Sequence, residues 1–279
     1  DIRKIKVYFT VSAPQVSLAL LPLLSILSPT AHASAQVIAA DDDVGTIVEV
    51  TSDRIDISGG QLSDEGDNLF QSFEQFDITA VQTASFATTP EVQNVVGKIN
   101  GKASTINGTL QVSGSDANLY LMNPAGILLG PEAQLNLSGG FTATTATGIS
   151  FENDQLRATG SSNYQNLTGQ VNAFHFDNEQ AGAVVNLGDL EVAAGQALNL
   201  IGGTVVNAGN LNAPSGSITV AAVEGENIVR LSQDKQLLSL EVDAHIGLGS
   251  TPITPASIAE MVTGRELSKV TAIQTNPDG

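Results

Sequence analysis

The side chains that could carry out chemistry are few in this chain, and most of them are acidic. None of the 279 residues is cysteine, which excludes disulfide bridges, thiolate metal sites and cysteine nucleophiles. Pairs of carboxylates cleave glycosidic bonds, and carboxylates also bind the Ca²⁺ that polysaccharide lyases use. Three groups of acids could supply such carboxylates: residues 41–43, the pair Asp53 and Asp56, and residues 64–67.

All three acid groups lie near the amino-terminal end, in sequence typical of turns. Acidic residues are common in solvent-exposed loops, so the sequence favours a structural role for these three groups. A carbohydrate-active enzyme, either a polysaccharide lyase or a glycosidase, stays open as the alternative function. Carboxylates about 5–10 Å apart in a groove on the flank of the fold would favour that alternative.

The three histidines, His32, His175 and His245, each lack a second metal ligand at a usual spacing. The chain also lacks a recognisable Ser-His-Asp pattern, a phosphate-binding loop and a dinucleotide-binding fingerprint. We therefore predict that the chain is not an enzyme, and that it binds neither a metal ion nor a cofactor.

The composition indicates an acidic exterior and an aliphatic core. Asp and Glu number 29 against 11 Lys and Arg, a formal net charge of −18. Because such a charge repels phosphate backbones, we expect no nucleic-acid partner. Aromatic residues make up 4% of the chain while 42% is hydrophobic, which favours small aliphatic side chains at regular spacing.

The amino terminus has the three-part pattern of a secretory signal peptide. Three basic residues precede an apolar stretch at residues 16–27, and two small-x-small sites follow at 31–33 and 33–35. The apolar stretch is shorter than the roughly 20 residues that span a bilayer, and Pro22 interrupts it. Residues 1–35 are therefore predicted to be a cleaved export signal, with the choice between the two sites left open.

From residue 37 onward, short segments alternate polar and apolar residues, which is the period of a strand with one buried face. Gly, Asn, Ser and Asp separate the segments and are typical of turns. The clearest segments are residues 46–50, 54–57, 109–112, 134–137, 197–200 and 217–220. The pattern predicts an all-β fold.

One stretch of the chain is repeated. Residues 184–192 align with residues 205–213 at five identical positions, and Gly195 and Gly216 fall on the same spacing. A period of about 21 residues, made of strands and turns alone, is typical of one winding of a β-solenoid. Like side chains then stack about 4.8 Å apart, and the recurrent Asn is expected to hydrogen-bond to its neighbour in the stack. An antiparallel sandwich would explain the alternation but not the repeat.

The two ends of the predicted solenoid differ from its middle. Residues 68–77 hold three of the nine phenylalanines, and we expect this cluster to cap the amino-terminal end. Residues 254–264 are predicted to form a short helix that begins at Thr254. We divide the chain into a signal (1–35), a β-helix domain (36–245) and a helix with a tail (246–279) that could lead into further sequence.

The densest motif is Asn123-Pro124-Ala125-Gly126-Ile127, between two predicted strands. Proline fixes its own φ angle and biases the preceding residue to extended backbone, which begins a turn. Gly126 permits a positive φ, and Ile127 begins the next buried strand. By composition alone this is a structural turn.

This motif resembles the signature of the filamentous haemagglutinin amino-terminal domain, the secretion domain of two-partner systems. Three further stretches agree with that family: residues 68–76, 106–112 and 134–145. The resemblance covers roughly residues 44–242 in collinear order and is greatest to the versions common in cyanobacteria. The chain departs from the family at Ala125, where Asn is usual. It also has Thr-Pro-Glu-Val-Gln-Asn at residues 89–94, where the family has an Asn-Pro-Asn-Leu motif.

The resemblance implies a right-handed parallel β-helix and a role in export. Domains of this family enter the periplasm through their signal peptide. There an outer-membrane β-barrel transporter recognises them in a non-native state, and they fold outside the cell. The chain is therefore expected to be the secretion domain of a surface adhesin, whose other partners are glycans or proteins of host or neighbouring cells. Transporter recognition, or a purely structural role, is assigned to Asn123, Pro124, Gly126 and Ile127.

Overall fold

The computed structural model describes residues 36–177, 181–223 and 227–230. These residues form strands almost throughout, with one 3-10 turn at Tyr164–Asn166. The strands are β1 (Val37–Ala39), β2 (Thr46–Val50), β3 (Arg54–Gly59), β4 (Gln61–Leu62), β5 (Asn68–Phe76), β6 (Thr83–Ala87), β7 (Asn94–Ile99), β8 (Ser104–Ile106), β9 (Thr109–Ser113), β10 (Asn118–Met122), β11 (Ile127–Leu129), β12 (Gln134–Asn136), β13 (Phe141–Thr144), β14 (Gly148–Ser150), β15 (Gln155–Arg157), β16 (Ala173–Phe176), β17 (Ala183–Asn186), β18 (Asp189–Glu191), β19 (Ala197–Gly202), β20 (Thr204–Asn207), β21 (Asn210–Asn212), β22 (Ser217–Ala222) and β23 (Asn227–Arg230).

Two sequence predictions, the signal at residues 1–35 and the helix at residues 254–264, lie outside the described residues. Within the described ranges, no helix is long and apolar enough to cross a membrane.

The chain winds repeatedly through three sheets whose neighbouring strands run parallel. Sheet 1 has the order β5-β7-β10-β13-β19-β22. Sheet 2 has the order β8-β11-β17-β20, and sheet 3 has the order β3-β6-β9-β12. A parallel pair, β18 and β21, lies next to β12. Because each winding passes through the sheets in turn, the fold is a parallel β-helix, which confirms the all-β prediction and excludes the sandwich.

The windings stack in register and shorten toward the carboxyl end. Asn68 pairs with Asn94, 26 positions later, and Asn94 pairs with Asn118, 24 positions later. Val184 pairs with Val205 and Asn186 with Asn207, at the spacing of 21 positions that the repeat predicts. The earlier windings are longer, so the sequence repeat is visible only near the carboxyl end.

The predicted equivalence of Gly195 and Gly216 is wrong by one residue. The turns before β19 and β22 are each closed by an N–H, from Gln196 or Gly216, that donates to the carbonyl three residues earlier at 3.1 and 3.0 Å. The third residue of each turn has a positive φ, +82° at Gly195 and +54° at Ser215. Ser215 therefore takes the place of Gly195, because the winding that pairs β19 with β22 is one residue shorter than the repeat.

Apolar side chains fill the interior of the helix. In sheet 1, Val95, Leu119, Phe141 and Leu198 stack in register, and all four are buried. Ile218 follows Leu198 in the same stack but is 47% exposed. No further winding covers it within the described residues, so the stack of buried side chains ends there.

Antiparallel strands close the amino-terminal end of the helix: β1 and β4 pair with β5, and β2 pairs with β3. The rings of Phe73 and Phe76 from β5 lie in the interior with Phe86 of β6, with ring centres 5.0–6.2 Å apart. The predicted phenylalanine cluster therefore belongs to the first winding, and the cap is made by β1, β2 and β4. Such a cap blocks an edge to which other chains could add.

An insertion, residues 145–177, leaves the helix after β13 and packs on the outer face of sheet 1. Its strands join β23 in an antiparallel sheet 4, with the order β15-β14-β16-β23. A second apolar core holds the two sheets together. Its members include Phe70, Val96, Tyr120, Met122 and Ile201 from sheet 1, and Phe151, Leu156, Phe174, Phe176 and Val229 from the outer layer.

Candidate functional site

The Asn-Pro-Ala-Gly turn joins sheet 1 to sheet 2. It begins after Met122, the last residue of β10, and ends at Ile127, the first residue of β11. The N–H of Gly126 donates to the carbonyl of Asn123 at 3.0 Å, which closes the turn. Gly126 has a φ of +128°, a value that strongly favours glycine. Ile127 is buried in the interior, as its place in the motif predicts.

Asn123 is fully buried, and its side chain is fully used. The Nδ2 group donates to the carbonyl of Lys102 and to Oγ of Ser104, both at 2.9 Å. The Oδ1 atom accepts the N–H of Ala125 at 3.0 Å. Both donations reach the preceding winding, so an aspartate here would lose them and bury a charge.

The turn is also hydrogen-bonded to the winding that follows. The carbonyl of Pro124 accepts the N–H of Gly182 in that winding at 3.1 Å. The carbonyl of Gly126 accepts the N–H of Ser104 in the preceding winding at 3.0 Å. A Cβ atom added at Gly126 would lie 3.3 Å from the carbonyl oxygen of Ala183. Ala125 is exposed and Pro124 is half-buried, so these two residues are what the folded turn presents to solvent.

A ladder of asparagines, which the sequence did not predict, crosses sheet 1. Asn118 Nδ2 donates to Asn94 Oδ1 at 2.9 Å, and Asn94 Nδ2 donates to Asn68 Oδ1 at 2.7 Å. At its start, Asn118 Oδ1 accepts the N–H of Gly140 at 2.8 Å, and at its end Asn68 Nδ2 donates to the insertion at the carbonyl of Leu167, also at 2.8 Å. The signal that could have revealed the ladder is an Asn at the first position of three successive sheet 1 strands.

The asparagine stack that the repeat predicted is confirmed. Asn186 Nδ2 donates to Asn207 Oδ1 at 2.8 Å, across one winding. Each of the two amides also donates to the carbonyl of the glycine two residues later, Gly188 or Gly209. The same side chains therefore stabilise the turns that follow β17 and β20.

The three acid groups stabilise turns and contacts of the cap. Asp42 accepts the N–H of Val44 and the hydroxyl of Ser72, and Asp56 accepts from Arg54 at the surface. Asp67 Oδ1 accepts Ser63 Oγ at 2.6 Å and its Oδ2 accepts the N–H of Gly169 at 2.9 Å. Within the described ranges, no three His, Cys, Asp or Glu side chains form a group that could hold a metal ion.

His175 is the one histidine within the described residues, since His32 and His245 lie outside them. Its Nε2 lies 2.5 Å from Ser150 Oγ on the neighbouring strand of sheet 4, a pairing that the sequence did not reveal. Burial is the main cause that lowers the pKa of His175, with Asp177 opposing and Arg230 and Arg157 adding to the decrease.

Two comparisons with known proteins find matches to this chain, one to a family model and the other to solved structures. Residues 35–251 match the family model described as the TPS secretion domain. The crystal structure of the HMW1 secretion domain from Haemophilus influenzae is 25% identical, with a TM-score of 0.45, over 71% of this chain and 45% of that chain. This chain therefore spans less than half of the length of that structure. No curated protein matches.

The family match covers more than half of the chain and includes every strand described above. The resemblance drawn from the Asn-Pro-Ala-Gly turn and its neighbouring strands is thereby confirmed. The chain belongs to the TPS secretion domain family, the secretion domains of filamentous-haemagglutinin-type two-partner systems.

Proposed function

We propose that this domain directs an exported surface adhesin to a dedicated outer-membrane β-barrel transporter, which recognises it in the periplasm before it folds. The observation that carries the proposal is the complete burial of Asn123. Every polar atom of its side chain is bonded within the folded domain. A transporter that contacts the Asn123 side chain must therefore bind the chain in an unfolded state.

The winding order supports folding outside the cell. Each winding bonds to the windings before and after it, and the amino-terminal end carries its own cap. A chain that emerges amino terminus first can thus stack the interior of the helix winding by winding, because the interior stacks need only nearest neighbours. The outer face of sheet 1 is covered later, when the insertion docks on it. Later windings bury Phe141 and Leu198, and the free energy of this burial would favour movement of the chain out through the transporter without ATP.

The proposal places the protein outside the cell, as a surface adhesin with no catalysis of its own. The acids that an enzyme would need, Asp42 and Asp67 among them, accept hydrogen bonds from backbone and hydroxyl groups of the cap and insertion. These contacts support a structural role for the acids and give no reason to prefer a lyase or a glycosidase.

Export in cells that contain the transporter tests the proposal. Asn123→Asp and Gly126→Asp should reduce the amount of chain in the medium and leave it in the periplasm. Ala125→Asp separates recognition from folding, because Ala125 is exposed between the assigned residues Pro124 and Gly126, so that a charge there changes the surface of the turn without removing a side-chain hydrogen bond. We expect this variant to unfold at the same urea concentration as the native chain and still to be exported less. Normal export of all three variants would remove the recognition role from this turn.

A further inference from the structure

Two asparagines in the chain, Asn100 and Asn107, are each followed by glycine and preceded by isoleucine. An asparagine before a glycine is prone to spontaneous deamidation, because glycine has no side chain to hinder the approach of its nitrogen to the asparagine Cγ atom. Since both sites have the sequence Ile-Asn-Gly, they should react at similar rates in an unfolded chain. A difference between them in the folded domain therefore reports on the structure.

Asn100 lies at the corner that joins β7 of sheet 1 to β8 of sheet 2. Both Asn100 and Gly101 are exposed. The Asn100 side chain makes no hydrogen bond to another described residue, and neither does the N–H of Gly101. The structure thus leaves the Asn100 amide free to rotate toward the nitrogen that attacks it.

Asn107 lies at the next corner, between β8 and β9, and the following winding holds its side chain. Asn107 Oδ1 accepts the N–H of Glu132 at 3.0 Å, and a Cβ atom added at Gly130 would collide with the same oxygen. Gly108, whose nitrogen would attack, is buried. The Asn107 amide has to leave this hydrogen bond and move away from Gly130 before it can react, so the fold should protect it.

We propose that the folded domain deamidates at Asn100 and is protected at Asn107. The nitrogen of Gly101 attacks Cγ of Asn100 and loses its proton, while the side-chain nitrogen leaves as ammonia and a cyclic succinimide forms. Water then opens the ring. Attack at Cγ gives aspartate, whereas attack at the main-chain carbonyl carbon gives isoaspartate, in which the main chain runs through the side-chain methylene. This chemistry does not depend on the role in export.

The two products should affect the fold differently. Aspartate changes only an exposed side chain, but isoaspartate lengthens the main chain at a corner with no spare room. A Cβ atom added at Gly101 would collide with the carbonyl oxygen of Glu74. The same corner supplies the carbonyl of Lys102, which accepts Asn123 Nδ2 at 2.9 Å. Isoaspartate should therefore weaken the contact that holds Asn123 in the Asn-Pro-Ala-Gly turn.

Peptide mapping by mass spectrometry can follow both sites in one sample of the full chain, incubated at mildly alkaline pH. We expect Asn100 to deamidate at least about tenfold faster than Asn107 in the folded chain, a factor that roughly one lost hydrogen bond supplies. In urea the two rates should become nearly equal. Asn100→Gln is the control, because the longer side chain closes a ring far more slowly; this variant should react only at Asn107 and at the native rate.

The isoaspartyl product can be identified by enzymatic methylation of its carboxylate and then separated from the native chain. We expect this fraction to unfold at a lower urea concentration than the native chain, whereas Asn100→Asp should unfold at the native concentration. The proposal is overturned if Asn107 reacts as fast as Asn100 in the folded chain, or if folding slows the two sites equally. An isoaspartyl fraction as stable as Asn100→Asp would overturn the predicted effect on the corner.

Discussion

Asn118 donates its side-chain amide to Asn94 at 2.9 Å, and the two residues stand 24 positions apart at the start of neighbouring strands of sheet 1. The Asn94 amide donates in the same way to Asn68 Oδ1, and the Asn68 amide donates to the carbonyls of Leu167 and Gly169. One line of amides thus joins three windings of the helix to the insertion. Because the centre of this line is buried, we expect the loss of one amide to lower the free energy of unfolding strongly.

Asn94→Ala should destabilise the domain by roughly 2–6 kcal/mol. The change leaves Asn118 Nδ2 and the buried Asn68 Oδ1 without partners, each at a cost of about 1–3 kcal/mol. Equilibrium unfolding in urea measures the loss. The control is Asn210→Ala, which removes an exposed amide bond to Asp189 and should cost less than about 0.5 kcal/mol. Equal losses in the two variants would show that the ladder has no special role.

Ser215→Gly should stabilise the domain by roughly 0.5–1 kcal/mol. Ser215 has a φ of +54°, and it is the only non-glycine residue in the described ranges with a positive φ. Glycine removes that strain, although part of the gain is offset by the greater freedom of the unfolded chain. Ser217→Gly, in the adjoining strand β22, should instead destabilise by a similar amount. If Ser215→Gly also destabilises, the left-handed turn is not strained.

Raising the pH from about 10 to about 12 should cost the domain roughly 2 kcal/mol through Tyr120 alone. Burial raises the pKa of Tyr120 to about 12 from an ordinary value of 10. The unfolded chain therefore ionises first, so this stability is complete below pH 10 and is lost as the pH approaches 12. Tyr120→Phe should remove this part of the loss. If the free energies of unfolding of the native chain and of Tyr120→Phe fall equally as the pH rises over this range, the assignment to Tyr120 is contradicted.

Leu198→Ala should cost roughly 2–5 kcal/mol, whereas Ile218→Ala should cost less than about 1 kcal/mol. Both residues occupy the same interior stack, but Leu198 is covered by β22 and Ile218 is 47% exposed. If folding of the windings favours export, Leu198→Ala should also slow secretion while Ile218→Ala does not. Equal rates of secretion for a strongly and a weakly destabilised variant would remove folding as a driving force.

The sequence predicted the windings well where they are shortest. Val184 and Val205 are in register as the repeat requires, and the amides of Asn186 and Asn207 bond as expected. Longer windings concealed the equivalence of Asn68, Asn94 and Asn118, because the spacing between successive members of this set exceeds the period of the repeat.

The insertion was not predictable, because its strands alternate polar and apolar residues just as the windings do. Phe174 and Leu156 face the outer core rather than the helix interior, and only the pairing of β16 with β14 and β23 distinguishes the two cases. For the same reason the sequence could not show that Lys98 is buried: sheet 1 carries it on a face that becomes covered only when the insertion docks.

The role of the Asn-Pro-Ala-Gly turn could be predicted only in part. Its composition correctly indicated a turn with Ile127 buried behind it. The burial of Asn123 against Lys102 and Ser104 depends on the preceding winding, which no local pattern reveals.

Recognition before folding is tested most directly by the affinity of the purified transporter for three forms of this domain. These forms are the folded chain, the chain freshly diluted from urea, and a synthetic peptide of residues 118–130. We expect the unfolded chain and the peptide to bind, the Asn123→Asp peptide to bind at least tenfold more weakly, and the folded chain not to bind through this turn. Tighter binding of the folded chain than of the unfolded chain would contradict the account.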